Sequence, residues 1–156
     1  MTKIAIVRIT GQQGLNQDIK KTFKLLNLHK KYTCVIVDND PQIGGMIKRI
    51  KDLTTWGEID AKTIELLLEK RGRLHANNFL TKEYVKEKAK IELEQFAKEF
   101  SESKKKIKDI PGLKPFFRLT PPRGGFEAKG TKKPFSIGGT LGYRKEKIND
   151  LIKRMV

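Results

Sequence analysis

Three short β-branched runs, separated by two amphipathic ones, fill the first part of the chain, and this alternation restricts the fold more than any other feature. Lys3–Ile9 is apolar and rich in isoleucine and valine, which suits a pleated, buried strand. Gly11 and Gly14 punctuate a loop, and Asn16 can cap a helix with Ile19, Phe23 and Leu26 on one face. Asn27 suits a left-handed stop. Thr33–Asp38 reads as a second strand. Asp40-Pro41 reads as an N-cap followed by the first helical residue, where proline needs no amide donor. Ile43, Ile47 and Ile50 then give that helix an inner face, and Trp56–Ile59 is a short third strand. The order β-α-β-α-β is too compact for a doubly wound sheet. It predicts an α+β core, a three-stranded sheet with two helices on one face, related to split β-α-β folds.

The chain divides into this core at 1–59, a helical insertion at 60–102, and a basic Gly/Pro-rich extension at 103–156 that ends in a short helix packed near the core. Asp60 is placed to cap Ala61–Arg71, with Ile64, Leu67 and Leu68 inward and Gly72 as the left-handed residue after its end. Thr81 is placed to cap a longer helix running to about Ser101, with the stripe Val85, Ala89, Leu93, Phe96 and Phe100. The last helix, about Lys145–Met155, turns Ile148, Leu151 and Ile152 inward.

Charge speaks about partners. The chain carries a formal +16, and the segment from Ser103 onward holds 15 Lys and Arg against 4 Asp and Glu, or +11. The insertion is neutral, with 9 of each sign, many at helical i,i+4 spacing. A polyanion is therefore the expected partner: nucleic acid first, an anionic membrane surface second. No apolar run is long enough to span a bilayer, and Met1–Thr10 opens as a strand rather than a signal peptide. The single Cys34 lies in an apolar strand, reads as a buried inert thiol, and fits a reducing cytoplasm.

Catalytic groups are missing. There is no Walker A loop, no His-Glu-x-x-His and no cysteine pair at metal spacing, and His29 and His75 read as surface residues. No cofactor is expected. An enzyme acting on a nucleotide or acyl phosphate, with Arg8 and the first glycine loop as anion hole, lacks a base or metal set.

Several segments carry two readings. Gly44-Gly45 inside the second helix either lets another backbone or an RNA sugar–phosphate strand come close, or serves tight helix–sheet packing or a late helix start. Pro121-Pro122-Arg123-Gly124-Gly125-Phe126 is a rigid entry followed by two residues of free dihedral range and one guanidinium suited to phosphate. Phe126 stacks on a base or returns to the core. Gly138-Gly139-Thr140-Leu141-Gly142-Tyr143-Arg144 either holds a phosphate on its amides and Arg144, or is a strand with tight turns. Trp56 reads as core, with base stacking the alternative. Arg8 is either an exposed phosphate anchor or a solvated strand-end charge.

These stretches carry a resemblance that covers nearly the whole chain. Val7-Arg8-Ile9, Gly45-Met46-Ile47 through Lys51-Asp52-Leu53 to Thr55-Trp56-Gly57-Glu58-Ile59-Asp60, the two tail motifs just quoted and Ile148-Asn149-Asp150-Leu151-Ile152 together resemble the universal large-subunit ribosomal protein thirty family in its long archaeal form, similar to the eukaryotic large-subunit protein seven. The resemblance implies a structural, non-enzymatic, cytoplasmic component of the ribosome. It would bind 23S rRNA near the 5S rRNA, as a monomer beside neighbouring large-subunit proteins, with a role in translation and subunit assembly. Short relatives often carry an arginine where this chain has Gly44, so a contact through that arginine does not transfer. The residues expected to meet RNA are Arg118, Arg123, Gly124, Gly125, Lys129, Lys132, Lys133 and Arg144, followed by Arg8, Lys48 and Arg49. Order in the tail is expected to depend on RNA contact.

Overall fold

The computed structural model describes residues 3–75 and 78–156; Met1 and Thr2 of the expected N-terminal strand lie outside them. The alternation of the first fifty-nine residues becomes β1 (Lys3–Arg8), α1 (Gln17–Leu25), β2 (Thr33–Asp38), α2 (Pro41–Ile50) and β3 (Thr54–Glu58). β1 lies between β2 and β3 and is antiparallel to both. Asn27 adopts the left-handed conformation, φ 58°, and Pro41 opens α2. β3 begins at Thr54, two residues before the expected start, because Thr54 and Thr55 pair with Arg8 and Val7.

Strand alternation sends side chains to two separate cores. Ile4, Ile6 and Val35 face α1 and α2, meeting Phe23, Leu26, Ile47 and Ile50. Ala5, Val7, Cys34 and Ile36 face the opposite way. That second face is covered by α3 (Ala61–Arg71), α5 (Leu93–Ser101) and α6 (Ile148–Met155), which contribute Ile64, Leu67, Phe96, Phe100, Leu151 and Ile152. Both sheet faces are thus buried, so the strands read as near-continuous apolar runs.

The sheet is five-stranded rather than three, in the order β4-β2-β1-β3-β5. The basic extension supplies both outer strands: β4 (Phe117–Arg118), antiparallel to β2, and β5 (Gly142–Tyr143), parallel to β3. Only two residues long, they are too short to be heard in sequence periodicity. They also cover the edges of the central strands.

The expected helix from Thr81 to Ser101 is two. α4 (Lys82–Ala89) ends at Lys90, φ 55°, and α5 restarts at Leu93. The apolar stripe continues across the break, which hid it from a spacing argument. Thr81 does cap α4, accepting from the Tyr84 amide at 3.3 Å. Gly72 is not left-handed; its φ is −61°. It is glycine for room, since a Cβ would collide with the Leu68 carbonyl and crowd Leu80. The last helix starts with a 3-10 turn at Lys145–Lys147 before α6.

Candidate nucleic-acid interface

Two of the expected RNA contacts are interior residues. Arg8, last in β1, has no exposed surface. Its Nε donates to the Thr10 carbonyl at 2.8 Å, Nη1 to the Leu28 carbonyl at 2.7 Å and Nη2 to the Gly11 carbonyl at 2.9 Å. The guanidinium lies 4.0 Å from the centre of the Phe23 ring, and burial lowers its pKa from the ordinary value. Strand alternation puts position 8 on the α1 face, where carbonyls of two loops converge on the fork. Arg8 is therefore neither an exposed anchor nor a solvated strand-end charge but a clamp on the loops after β1 and before β2.

Arg144 is also enclosed, 2% exposed. Its Nη1 donates to Glu127 Oε1 at 2.7 Å, Nε to Thr55 Oγ1 at 2.8 Å and Nη2 to the Thr140 carbonyl at 2.7 Å. Burial alone would raise the Glu127 carboxyl, but hydrogen bonds from Arg144 and Thr140 and the nearby guanidinium charge outweigh it and hold the group below its ordinary range. The glycine loop before Arg144 has its amides engaged: Gly138 donates to Phe135, Gly139 to Pro134, and Thr140 and Leu141 both to Lys133. The phosphate-cradle reading of 138–144 does not hold; it is a set of tight turns entering β5.

Phe126 returns to the core, stacked on Tyr32 with ring centres 6.0 Å apart. Its loop stays outward. Gly124 and Gly125 both take φ +78°, with nothing in the chain near where a Cβ would be. Arg123 is exposed, while its amide donates to the Arg154 carbonyl at 2.9 Å, which pins the loop to the end of α6. Gly44 and Gly45 lie inside α2 with open space around both. Neither tight packing nor a late helix start accounts for them, which leaves the reading of a face open to close approach.

Exposed cations are not spread evenly. Lys20, Lys21 and Lys24 on α1 and Lys48, Arg49 and Lys51 on and beside α2 point to solvent. So do Arg118, Arg123, Lys129, Lys132 and Lys133 of the extension. Among the described residues none of these has a carboxylate within 4 Å. In the insertion and just after it several exposed cations are paired: Lys82–Glu69, Lys86–Glu92, Lys104–Glu102 and Lys105–Glu99 at 2.6–3.4 Å. Such exposed pairs add little stability, but they cancel field on that side.

Two grooves bring together residues distant in sequence. At the β4 edge, Arg118 shares a cleft of about 140 Å³ with Arg71, Arg73, Lys114 and Phe116. Beyond β3, Trp56 lines a groove of about 400 Å³ with Lys51, Asp52, Lys132, Pro134, Leu141 and Gly142. Sequence reasoning missed Arg71, Arg73, Lys114 and Lys51 as site residues; no local signal links positions that far apart. Among the described residues no cluster of three or more His, Cys, Asp or Glu could hold a metal ion, and no helix is long and apolar enough to cross a membrane.

A small α+β body with exposed cations free of carboxylates on α1, on α2 and in the loops of the extension, beside an insertion whose charges sum to zero, defines a basic binding protein shaped for a polyanion. Comparison with known proteins carries this further. The sequence profile described as ribosomal protein L30p/L7e matches residues 4–54. The large ribosomal subunit protein uL30 of Nanoarchaeum equitans is 49% identical over 156 residues, the whole of both chains. Those of Methanopyrus kandleri and Archaeoglobus fulgidus are 46% and 47% identical, covering 94% and 97% of this chain and 99% and 98% of their own. The chain belongs to the uL30 family of ribosomal proteins, which are structural and non-catalytic.

Proposed function

We propose that this protein is a structural constituent of the large ribosomal subunit that binds 23S rRNA near the 5S rRNA and supports translation and subunit assembly. The observation that carries the reading is the uneven distribution of charge: exposed lysines and arginines of α1, α2 and the extension loops have no carboxylate partner among the described residues, while the charges of the insertion sum to zero. Such cations can neutralise phosphates and release condensed counterions. The insertion, neutral in sum, suits neighbouring proteins. Recognition is by shape and sugar–phosphate contact more than by base edges. Within it, Lys48 and Arg49 on the glycine-bared face of α2, Arg118, Arg123 with Gly124 and Gly125, and Lys129, Lys132 and Lys133 meet RNA. Arg8 and Arg144 hold the scaffold on which those residues stand.

Affinity for large-subunit rRNA, measured by filter binding, should fall about 10³-fold or more between about 50 and 200 mM salt if six or more phosphates are contacted. Arg123→Ala should weaken RNA binding and incorporation into subunits while leaving the melting temperature unchanged. Nearly salt-independent binding would refute the electrostatic account.

A further inference from the structure

Trp56 pairs with Ile6 across β1 and β3, so its side chain stands on the α1–α2 face. α2 has ended by then, at Ile50, and the ring is only partly covered. The extension passes on the far side. Pro134, Leu141 and Gly142 line the groove with the indole, and the exposed Lys51 and Lys132 line it too. Gly142, at φ +88°, leaves its part of the wall bare, with nothing in the chain near where a Cβ would lie. Next to it Tyr143 holds its ring 6.5 Å from the indole, tilted by 31°, while its hydroxyl donates to Glu58. At about 400 Å³ the groove falls within the range of roughly 300–1,000 Å³ usual for small-ligand sites.

A largely apolar slot lined by an indole and by two cations that have no ion-pair partner among the described residues matches the two parts of a nucleotide. We propose that this groove takes one unstacked base of a single-stranded RNA segment onto the Trp56 ring, with Lys51 and Lys132 meeting the flanking phosphates. The inference rests on the RNA-binding reading and adds a stacking site to it. The one carboxylate in the lining, Asp52, is an acceptor, so it suits a base edge carrying amino protons and not a phosphate. Every base has a face to stack, so the site adds affinity with little sequence preference.

Trp56 is the chain's only tryptophan, so its fluorescence reports the groove directly. The full chain is titrated with a short oligoadenylate and with inorganic polyphosphate, with binding followed in parallel by filter retention. Oligoadenylate should quench the emission in step with the fraction bound. Polyphosphate, which has charge but no bases, should bind without quenching. Trp56→Leu should lower oligoadenylate affinity roughly 5- to 100-fold, and Trp56→Phe should recover much of that loss. Circular dichroism would establish that each variant is folded, and Lys132→Ala, an exposed change, gives an independent loss if Trp56→Leu is not. Retention of oligoadenylate without quenching, or equal quenching by polyphosphate, overturns the stacking site and leaves RNA binding standing. Failure to retain large-subunit rRNA at low salt removes the RNA-binding reading, and the stacking site with it.

Discussion

Replacing Arg144 by methionine separates a structural arginine from an RNA-binding one. The side chain is 2% exposed and joins three places in the chain: Glu127 at the base of the glycine loop, Thr55 in β3 and the carbonyl of Thr140. Methionine keeps much of the volume but removes every donor. The Glu127 carboxylate would then retain its own backbone amide, the Thr140 hydroxyl at 2.9 Å and Arg154 at 3.8 Å. Breaking a buried pair from one side costs about 3–5 kcal/mol, because the remaining charge loses its main partner. For a chain of this length that corresponds to a fall in melting temperature of roughly 6–20 °C. Thermal unfolding followed by circular dichroism measures it, and filter binding at a temperature where the variant is folded should give nearly wild-type RNA affinity. The cycle with Glu127→Gln adds a second constraint. Removing both partners should cost less than the two single losses together, since neither charge is then orphaned. A fall under about 2 °C, below 1 kcal/mol, together with a clear loss of RNA affinity, would refute the scaffold role and return Arg144 to the interface.

Other expectations follow from the same contacts. Because the Glu127 carboxyl is held below its ordinary value in the folded state, the stability it contributes is present above the unfolded pKa, near about 4.3, and lost as pH falls through the lower folded one; Asp38, whose burial is outweighed by bonds from Lys3 and Ser103, shifts the same way. Melting temperature should therefore drop as pH is lowered below about 4, and Glu127→Gln should flatten part of that drop. Gly57→Ala should destabilise by roughly 1–3 kcal/mol or more, because the added Cβ meets the Lys145 carbonyl and the Ile148 side chain; denaturant unfolding would show it, and a neutral result would mean the extension is not packed on β3. Burial pushes the Cys34 thiol up to about 12, so a thiol reagent should label it only at the rate of unfolding, and fast labelling of the native chain would contradict its place in the core.

Most of the core was legible because its signals are local. The three strands, α1, α2 and α3 follow from β-branched runs, from apolar residues at helical spacing and from Pro41 and Asn27 at element ends. The break at Lys90 was not, since Val85, Leu93 and Phe96 keep their spacing across it. β4 and β5 were not either: each is a strand only because β2 or β3 offers it an edge. Among the site residues, Arg123 with its two glycines and the lysines at 129, 132 and 133 were placed on the surface as expected. Arg8 and Arg144 were not, because a basic motif looks the same whether its guanidinium meets phosphate or carbonyls of its own chain.

The sequence by itself determined the order of elements from β1 to α3, the total charge and its concentration after Ser103, and the lack of a recognisable catalytic motif. These depend on neighbours along the chain or on composition alone. Tertiary structure decided which cations are free. Arg144 meets Thr55 across 89 positions and Glu127 across 17, and Arg8 meets Leu28 across 20. It also decided that Trp56, Lys51 and Lys132 share one groove. A charge can bind a partner only if folding leaves it uncompensated and exposed, and that depends on residues brought near it in space.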